Sequence, residues 1–216
     1  MKRREFSVSL AGAGLGLMLA GGTRAQGTPV EGTNYRRLSK PAPVNLSSPD
    51  KKVEVVEFFW YECPHCSRFE PIAAAWAAKL PADVEYQRVP VGFTARHQAA
   101  QKIFYALEDM GLLETMHRRI FAAIHVQRQR LSTEKEYAAY LVSQGVDSQK
   151  LEAALRSFSV NTKAKRATQL TDAYQIDGTP ALGVQGRYWT SGSMTGGFDG
   201  MLSTADYLIG LARKAA

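Results

Sequence analysis

Eight residues, Val53-Glu54-Val55-Val56-Glu57-Phe58-Phe59-Trp60, run almost without interruption through β-branched and aromatic side chains. A short, nearly continuous apolar run of this kind fits a strand covered on both faces, which requires a layer of structure on either side. From Pro64 the pattern changes: Phe69, Ile72, Ala73 and Trp76 recur at helical spacing until Pro81 stops them. Val84 to Val91 then reads as a second strand. Strand, turn, helix and strand in that order build a right-handed parallel crossover, so the sequence predicts an α/β fold around this unit.

The pattern is helical from about Thr94 to Ala173. Helices are expected over His97 to Met110, Leu112 to Ile124, Thr133 to Ser143, Ser148 to Phe158 and Asn161 to Tyr174. Gly111 and Gly145 punctuate them, and Ser132 with Lys135-Glu136 and Asp147 mark starts. Strand character returns at Ala181 to Val184 and Arg187 to Thr190, joined through Gln185-Gly186 as a hairpin, and a helix over Phe198 to Lys214 follows. No internal repeat or low-complexity linker interrupts the chain. The expected organisation is a split α/β domain, residues 26–93 and 174–216, with an all-helical domain, residues 94–173, inserted in its middle.

The first residues read differently. Lys2, Arg3 and Arg4 precede a run rich in Leu, Ala and Gly, and Thr23-Arg24-Ala25 places small residues where an export signal is cut. Residues 1–25 are therefore expected to be a signal peptide. The run is too short and Gly-rich for a convincing membrane span, and Gly12, Gly14 and Gly16 would each weaken an ordinary helix by roughly 1 kcal/mol. Arg3-Arg4 with Phe6 also fits a twin-arginine signal, so either that route or ordinary secretory export is expected. Loss of these residues would take the formal charge from +7 to about +4. The basic residues that remain sit on helices without interleaved aromatics, which argues against a nucleic-acid surface.

The only two cysteines of the 216-residue chain are Cys63 and Cys66, in Cys63-Pro64-His65-Cys66. An exported protein meets oxidising surroundings, yet so tight a loop removes little chain entropy compared with a long one, so stapling explains the pair poorly. Redox chemistry explains it better. If the helix starts at Pro64, Cys63 lies beside free backbone N–H groups that stabilise its thiolate. Pro64 suits the first helical position, and His65 can turn a donor or a positive charge toward the sulfur. A fall of the Cys63 pKa to about 4 would favour the dithiol at pH 7 by roughly 4 kcal/mol, on the order of 90 mV toward an oxidising disulfide. The rival readings are half of a zinc site, for which no second cysteine pair exists, and an inert disulfide.

Cys63-Pro64-His65-Cys66 after Glu57-Phe58-Phe59, followed by Phe69-Glu70, the helical stretch, and then Gly178-Thr179-Pro180 before the last hairpin, resembles the DsbA family of periplasmic thiol:disulfide oxidoreductases. The resemblance implies a thioredoxin-like domain carrying the inserted helical domain. It implies Cys63 as nucleophile, Cys66 as its disulfide partner, and no cofactor beyond the redox-active disulfide Cys63–Cys66. It implies that Pro180 is cis and faces the cysteines, leaving the backbone at Thr179 to pair with an extended substrate. Glu57 matches the family's buried acid beneath the active site; the alternative is a strand residue facing solvent. Two features depart from the best-known pattern. Glu62 sets a negative charge beside Cys63, where it would make the protein less oxidising, and Thr179 stands where valine is often found.

Trp60, Tyr61 and Phe69 are expected to be core or groove wall, with Trp60, Tyr61, Thr179 and Met194 as the substrate-contacting candidates. His97, His117 and His125 are taken as structural or surface residues. The expected partners are unfolded exported proteins and a DsbB-like membrane quinone reductase as reoxidant, acting on a monomer. The alternatives are a disulfide isomerase or reductase, whose separate dimerisation domain has no room between Gln26 and Asp50, and a metal-handling thioredoxin-like protein.

Overall fold

The structure, a computed structural model, describes residues 27–215. The expected signal peptide, residues 1–25, lies outside the described residues. Five strands form one sheet: β1 (Arg36–Arg37), β2 (Val53–Phe59), β3 (Val84–Pro90), β4 (Ala181–Val184) and β5 (Tyr188–Ser191), in the order β1-β5-β4-β2-β3. The helices among the described residues are α1 (Pro64–Ala77), α2 (Ala95–Asp109), α3 (Leu113–His125), α4 (Glu134–Ser143), α5 (Ser148–Arg156), α6 (Phe158–Ala173), α7 (Gly192–Thr195) and α8 (Phe198–Lys214). This is a mixed α/β thioredoxin fold with α2–α6 inserted between β3 and β4.

β2 occupies the interior of the sheet, parallel to β3 from Val53 opposite Val84 to Phe59 opposite Pro90, and antiparallel to β4. All seven of its residues are buried, as the unbroken apolar run requires. Its side chains alternate between two cores. Val53 and Val55 pack with Phe69 and Ala73 of α1 and with Met201 and Leu208 of α8, while Val56 and Phe58 face Ile103 and Phe104 of α2. Truncating a fully buried phenylalanine such as Phe58 to alanine costs about 3–5 kcal/mol. Both sides of β2 are thus filled, and the loop leaving its C-terminal end is held from above and below.

The Gln185-Gly186 turn closes the β4–β5 hairpin with φ of 51° and 60°. Two positive φ values in succession define the type I′ geometry that matches strand twist, and glycine suits the second position. A Cβ on Gly186 would also stand 2.3 Å from the Ala42 carbonyl oxygen.

Two elements were not expected. β1 is a two-residue exposed pair added antiparallel to β5, too short for any alternation, and α7 is a single turn in the Ser191-to-Thr195 stretch. Two boundaries also shift. Thr133, not Ser132, caps α4 in a reciprocal box with Glu136. Ser157 ends α5 and caps α6, accepting from the Val160 N–H at 3.1 Å, so no gap separates them.

Candidate active site

α1 begins at Pro64 with Cys63 as its N-cap. Pro64 contributes no N–H at a position where none is needed. The Cys66 thiol, the Thr179 side chain and the backbone N–H groups of Cys66 and His65 favour negative charge on the Cys63 sulfur, although no N–H caps it with a full hydrogen bond. These groups, the Cys66 thiol foremost, outweigh partial desolvation and bring Cys63 from an ordinary 9.0 down to about 5. The Cys66 sulfur one turn along weighs more than the helix-start N–H groups that the sequence pointed to. Cys66 is opposite in character: with no exposure, burial pushes its thiol up, and the neighbouring Cys63 charge pushes it further. Both cysteines are free thiols, so the structure holds the dithiol form.

The Thr179–Pro180 peptide bond is cis, and the Thr179 carbonyl oxygen lies 3.4 Å from the Cys63 sulfur. The Thr179 hydroxyl supports negative charge on Cys63 instead of opposing it. Beside this contact runs a cleft of about 500 Å³ lined by His65, Asp177, Thr179, Pro180, Ser193 and Phe198 among others. His65 is exposed, and its Nδ1 accepts from Arg68 Nη2 at 2.9 Å.

The remaining substrate-site candidates fall elsewhere. Tyr61 is fully buried, its hydroxyl donating to His117 Nδ1 at 2.9 Å, so its side chain cannot meet a substrate; that expectation is corrected by burial. Met194 and Trp60 are half-buried against the main core, and neither lines the cleft. The Trp60 ring instead lies 4.4 Å from that of His97, on the side of the helical insertion.

Glu57 is buried, 2% exposed, so the solvent-facing alternative is excluded. It shares the face of Val53 and Val55, where Tyr86 donates a short hydrogen bond to it and Arg88 Nε stands 3.8 Å away. Desolvation dominates all the same, and its carboxyl is raised from 4.5 to about 7. Glu70, equally buried on α1, goes the other way. Desolvation would raise it, but the N–H of His117 at 3.2 Å, Arg88 at 3.1 Å and Arg118 at 3.5 Å hold it below the usual range. Burial pushes the His117 ring down, so it is neutral at pH 7, its Nε2–H donating to Glu70 and its Nδ1 accepting from Tyr61.

Glu70, Arg88, His117 and His125 did not stand out as site residues in the sequence. His117 lies far along the chain and His125 donates to the Tyr61 carbonyl at 2.8 Å, so two histidines taken as structural are built into the floor of the active-site loop. The available signal for Glu70 was a carboxylate on the apolar face of α1, next to Phe69. Among the described residues, no group of three or more His, Cys, Asp and Glu side chains is arranged to hold a metal ion.

A low-pKa cysteine at a helix start, a buried partner one turn on, and a cis-proline loop against both sulfurs define a thiol:disulfide oxidoreductase of the thioredoxin fold. The comparisons agree. The DSBA-like thioredoxin domain family matches residues 73–202. The chain is 39% identical over 217 residues to the thiol:disulfide interchange protein DsbA of Bordetella pertussis, covering 99% of this chain and 100% of that one. It is 40% identical over 185 residues to the DsbA of Pseudomonas aeruginosa, covering 86% of each. The crystal structure of Pseudomonas aeruginosa DsbA superposes with a TM-score of 0.80 over 87% of this chain and 96% of that one. NmDsbA1 of Neisseria meningitidis, 28% identical, gives 0.74 over 86% and 95%. The chain belongs to the DsbA family and is a protein disulfide oxidoreductase.

Proposed function

We propose that the protein donates its Cys63–Cys66 disulfide to the thiols of newly exported proteins. The observation that carries this reading is the asymmetry of the pair: Cys63 at the start of α1, where neighbouring polar groups favour its thiolate, and Cys66 fully buried. Stabilising one thiolate stabilises the reduced state and makes the disulfide a stronger electron acceptor. With the Cys63 pKa at about 5, two units below pH 7, the gain is about 2.7 kcal/mol, or about 60 mV toward oxidising.

A substrate thiolate attacks the Cys63 sulfur of the disulfide. The Cys63–Cys66 bond breaks, and the Cys66 sulfur leaves with the electron pair and takes a proton. A second substrate thiolate then attacks the substrate sulfur of the mixed disulfide and expels Cys63 as a thiolate. The substrate has lost two electrons to form its disulfide, and the enzyme has gained them. Cys66 requires a proton to leave well, because its thiol pKa is high. Glu57, titrating at about 7, serves as the acid that supplies or relays it.

Extended substrate binds along the cleft at Thr179 and Pro180, pairing with the Thr179 backbone. A DsbB-like membrane quinone reductase takes the two electrons from the dithiol. Residues 1–25 direct export to the periplasm, residues 26–93 and 174–216 form the thioredoxin-like domain, and residues 94–173 form the inserted helical domain. The test mixes oxidised protein with a reduced, unfolded chain holding two cysteines. We expect one substrate disulfide formed and two enzyme thiols gained per transfer. Rearrangement of existing disulfides without net oxidation would identify an isomerase instead and overturn the reading.

A further inference from the structure

Glu62 precedes the nucleophilic cysteine, and a carboxylate there disfavours the charge that Cys63 holds. Its side chain is nonetheless only 10% exposed, because the helical insertion engages it. Arg96, in the first turn of α2, donates from Nε to Oε1 at 3.0 Å and from Nη2 to Oε2, a two-pronged fork. Ser132, just before α4, donates to the same Oε2 at 3.2 Å and accepts from Arg96 Nη2 at 3.3 Å. The Arg96 guanidinium also stands 5.5 Å over the Trp60 ring. In the groove that the network borders, Lys102 pairs with Glu134 at 2.8 Å and Arg130 with Glu136 at 3.8 Å.

An isolated exposed ion pair contributes little, whereas a forked arginine–carboxylate pair inside a network is the exception. Here the network joins three separated segments and ends one residue from the reacting sulfur. We propose that Arg96 is a positioning residue for disulfide exchange: by clamping and neutralising Glu62 together with Ser132, it keeps a competing negative charge from acting on Cys63, so the helical insertion sets the oxidising strength of the pair. The inference rests on the reading of Cys63 as the charged sulfur. It also gives a role to the glutamate that stands beside that sulfur.

The test is a cycle of full-chain variants, Arg96→Met, Glu62→Gln and both together, each equilibrated with glutathione. In that reaction two glutathione thiols reduce the enzyme disulfide to the dithiol and become one glutathione disulfide. Arg96→Met should lower the equilibrium constant for enzyme reduction about three- to ten-fold and move the Cys63 thiolate transition to higher pH. Glu62→Gln alone should change the constant less than about two-fold, and the double variant should return to within about two-fold of the parent. Restoration is the decisive result, because a merely structural Arg96 would leave the double variant as impaired as Arg96→Met. An unrestored double variant, or an Arg96→Met protein equal to the parent, overturns the proposal. If Arg96→Met does not fold, Arg96→Gln, which keeps N–H donors but no charge, carries the same expectation. Failure of the underlying reading is visible separately, as a parent protein that itself equilibrates as a reductant.

Discussion

Cys63 and Cys66 are the same chemical group one helical turn apart, and the fold treats them oppositely. Cys63 sits where α1 has not yet satisfied its own N–H groups, and the Cys66 thiol, the Thr179 side chain and the Cys66 and His65 amides favour its negative charge. Cys66 is sealed within the main core, where the loss of water outweighs what the Thr179 side chain and the Trp60 backbone offer its charge. The same contrast recurs a layer below in two glutamates. Glu70 is held ionised by two guanidinium groups and an imidazole N–H, while Glu57 receives one good hydrogen bond and stays close to half-protonated at pH 7. Burial alone decides neither pair. The number and charge of the donors aimed at each group do.

The largest expected consequence is a pH-dependent stability difference between the dithiol and disulfide forms. The folded pKa of Cys63, about 5, lies below its ordinary 9.0, so between these values the unfolded dithiol chain binds more protons than the folded one and folding gains as pH rises. The contribution is complete above about pH 9 and is lost as pH falls through about 5. Urea unfolding of the two forms should show the reduced protein gaining about 4 kcal/mol on the oxidised between pH 5 and pH 8. A difference independent of pH would mean that the sulfurs are equivalent.

Glu57 gives a smaller effect of opposite sign. Its folded pKa is raised from 4.5 to about 7, so its stabilising protonated form is fully present below about 4.5 and is lost as pH rises through 7. Glu57→Gln should therefore stabilise the protein by about 3 kcal/mol at pH 8 and by almost nothing at pH 4. Slower disulfide exchange in that variant, read by stopped-flow mixing with a thiol substrate, would mark the carboxyl as the proton carrier. Smaller again, Cys66→Ala removes the foremost donor and should raise the Cys63 pKa by about one to two units, with Cys66→Ser recovering part of the shift. Tyr61→Phe sharpens the contrast from the other side. It should cost about 1–2 kcal/mol of stability by stripping His117 of its partner, and leave the thiolate transition within a few tenths of a unit.

The elements behind Cys63 were legible because each carries a local signal: the unbroken apolar run of β2, proline at the first position of α1, and the Gln185-Gly186 turn. Those signals sufficed to set the cysteine at a helix start and to foresee α8 from Phe198 to Lys214. What the sequence hid were pairings between distant residues. Arg88 on β3 meets Glu57 only through the parallel register that sets the two side by side, and then reaches Glu70 on α1. Tyr61 read as core or groove wall within reach of substrate, and the core reading holds because its hydroxyl meets His117 on α3, 56 positions away. Glu62 looked like a liability because the arginine that answers it opens the insertion, 34 positions on.

The central claim concerns one sulfur, and the ultraviolet absorbance of thiolate in the reduced protein measures it directly. Titration should reveal one thiolate appearing with a midpoint near pH 5, and the second not before the pH is well above 9. Two sulfurs ionising together at pH 8 or above would contradict the account.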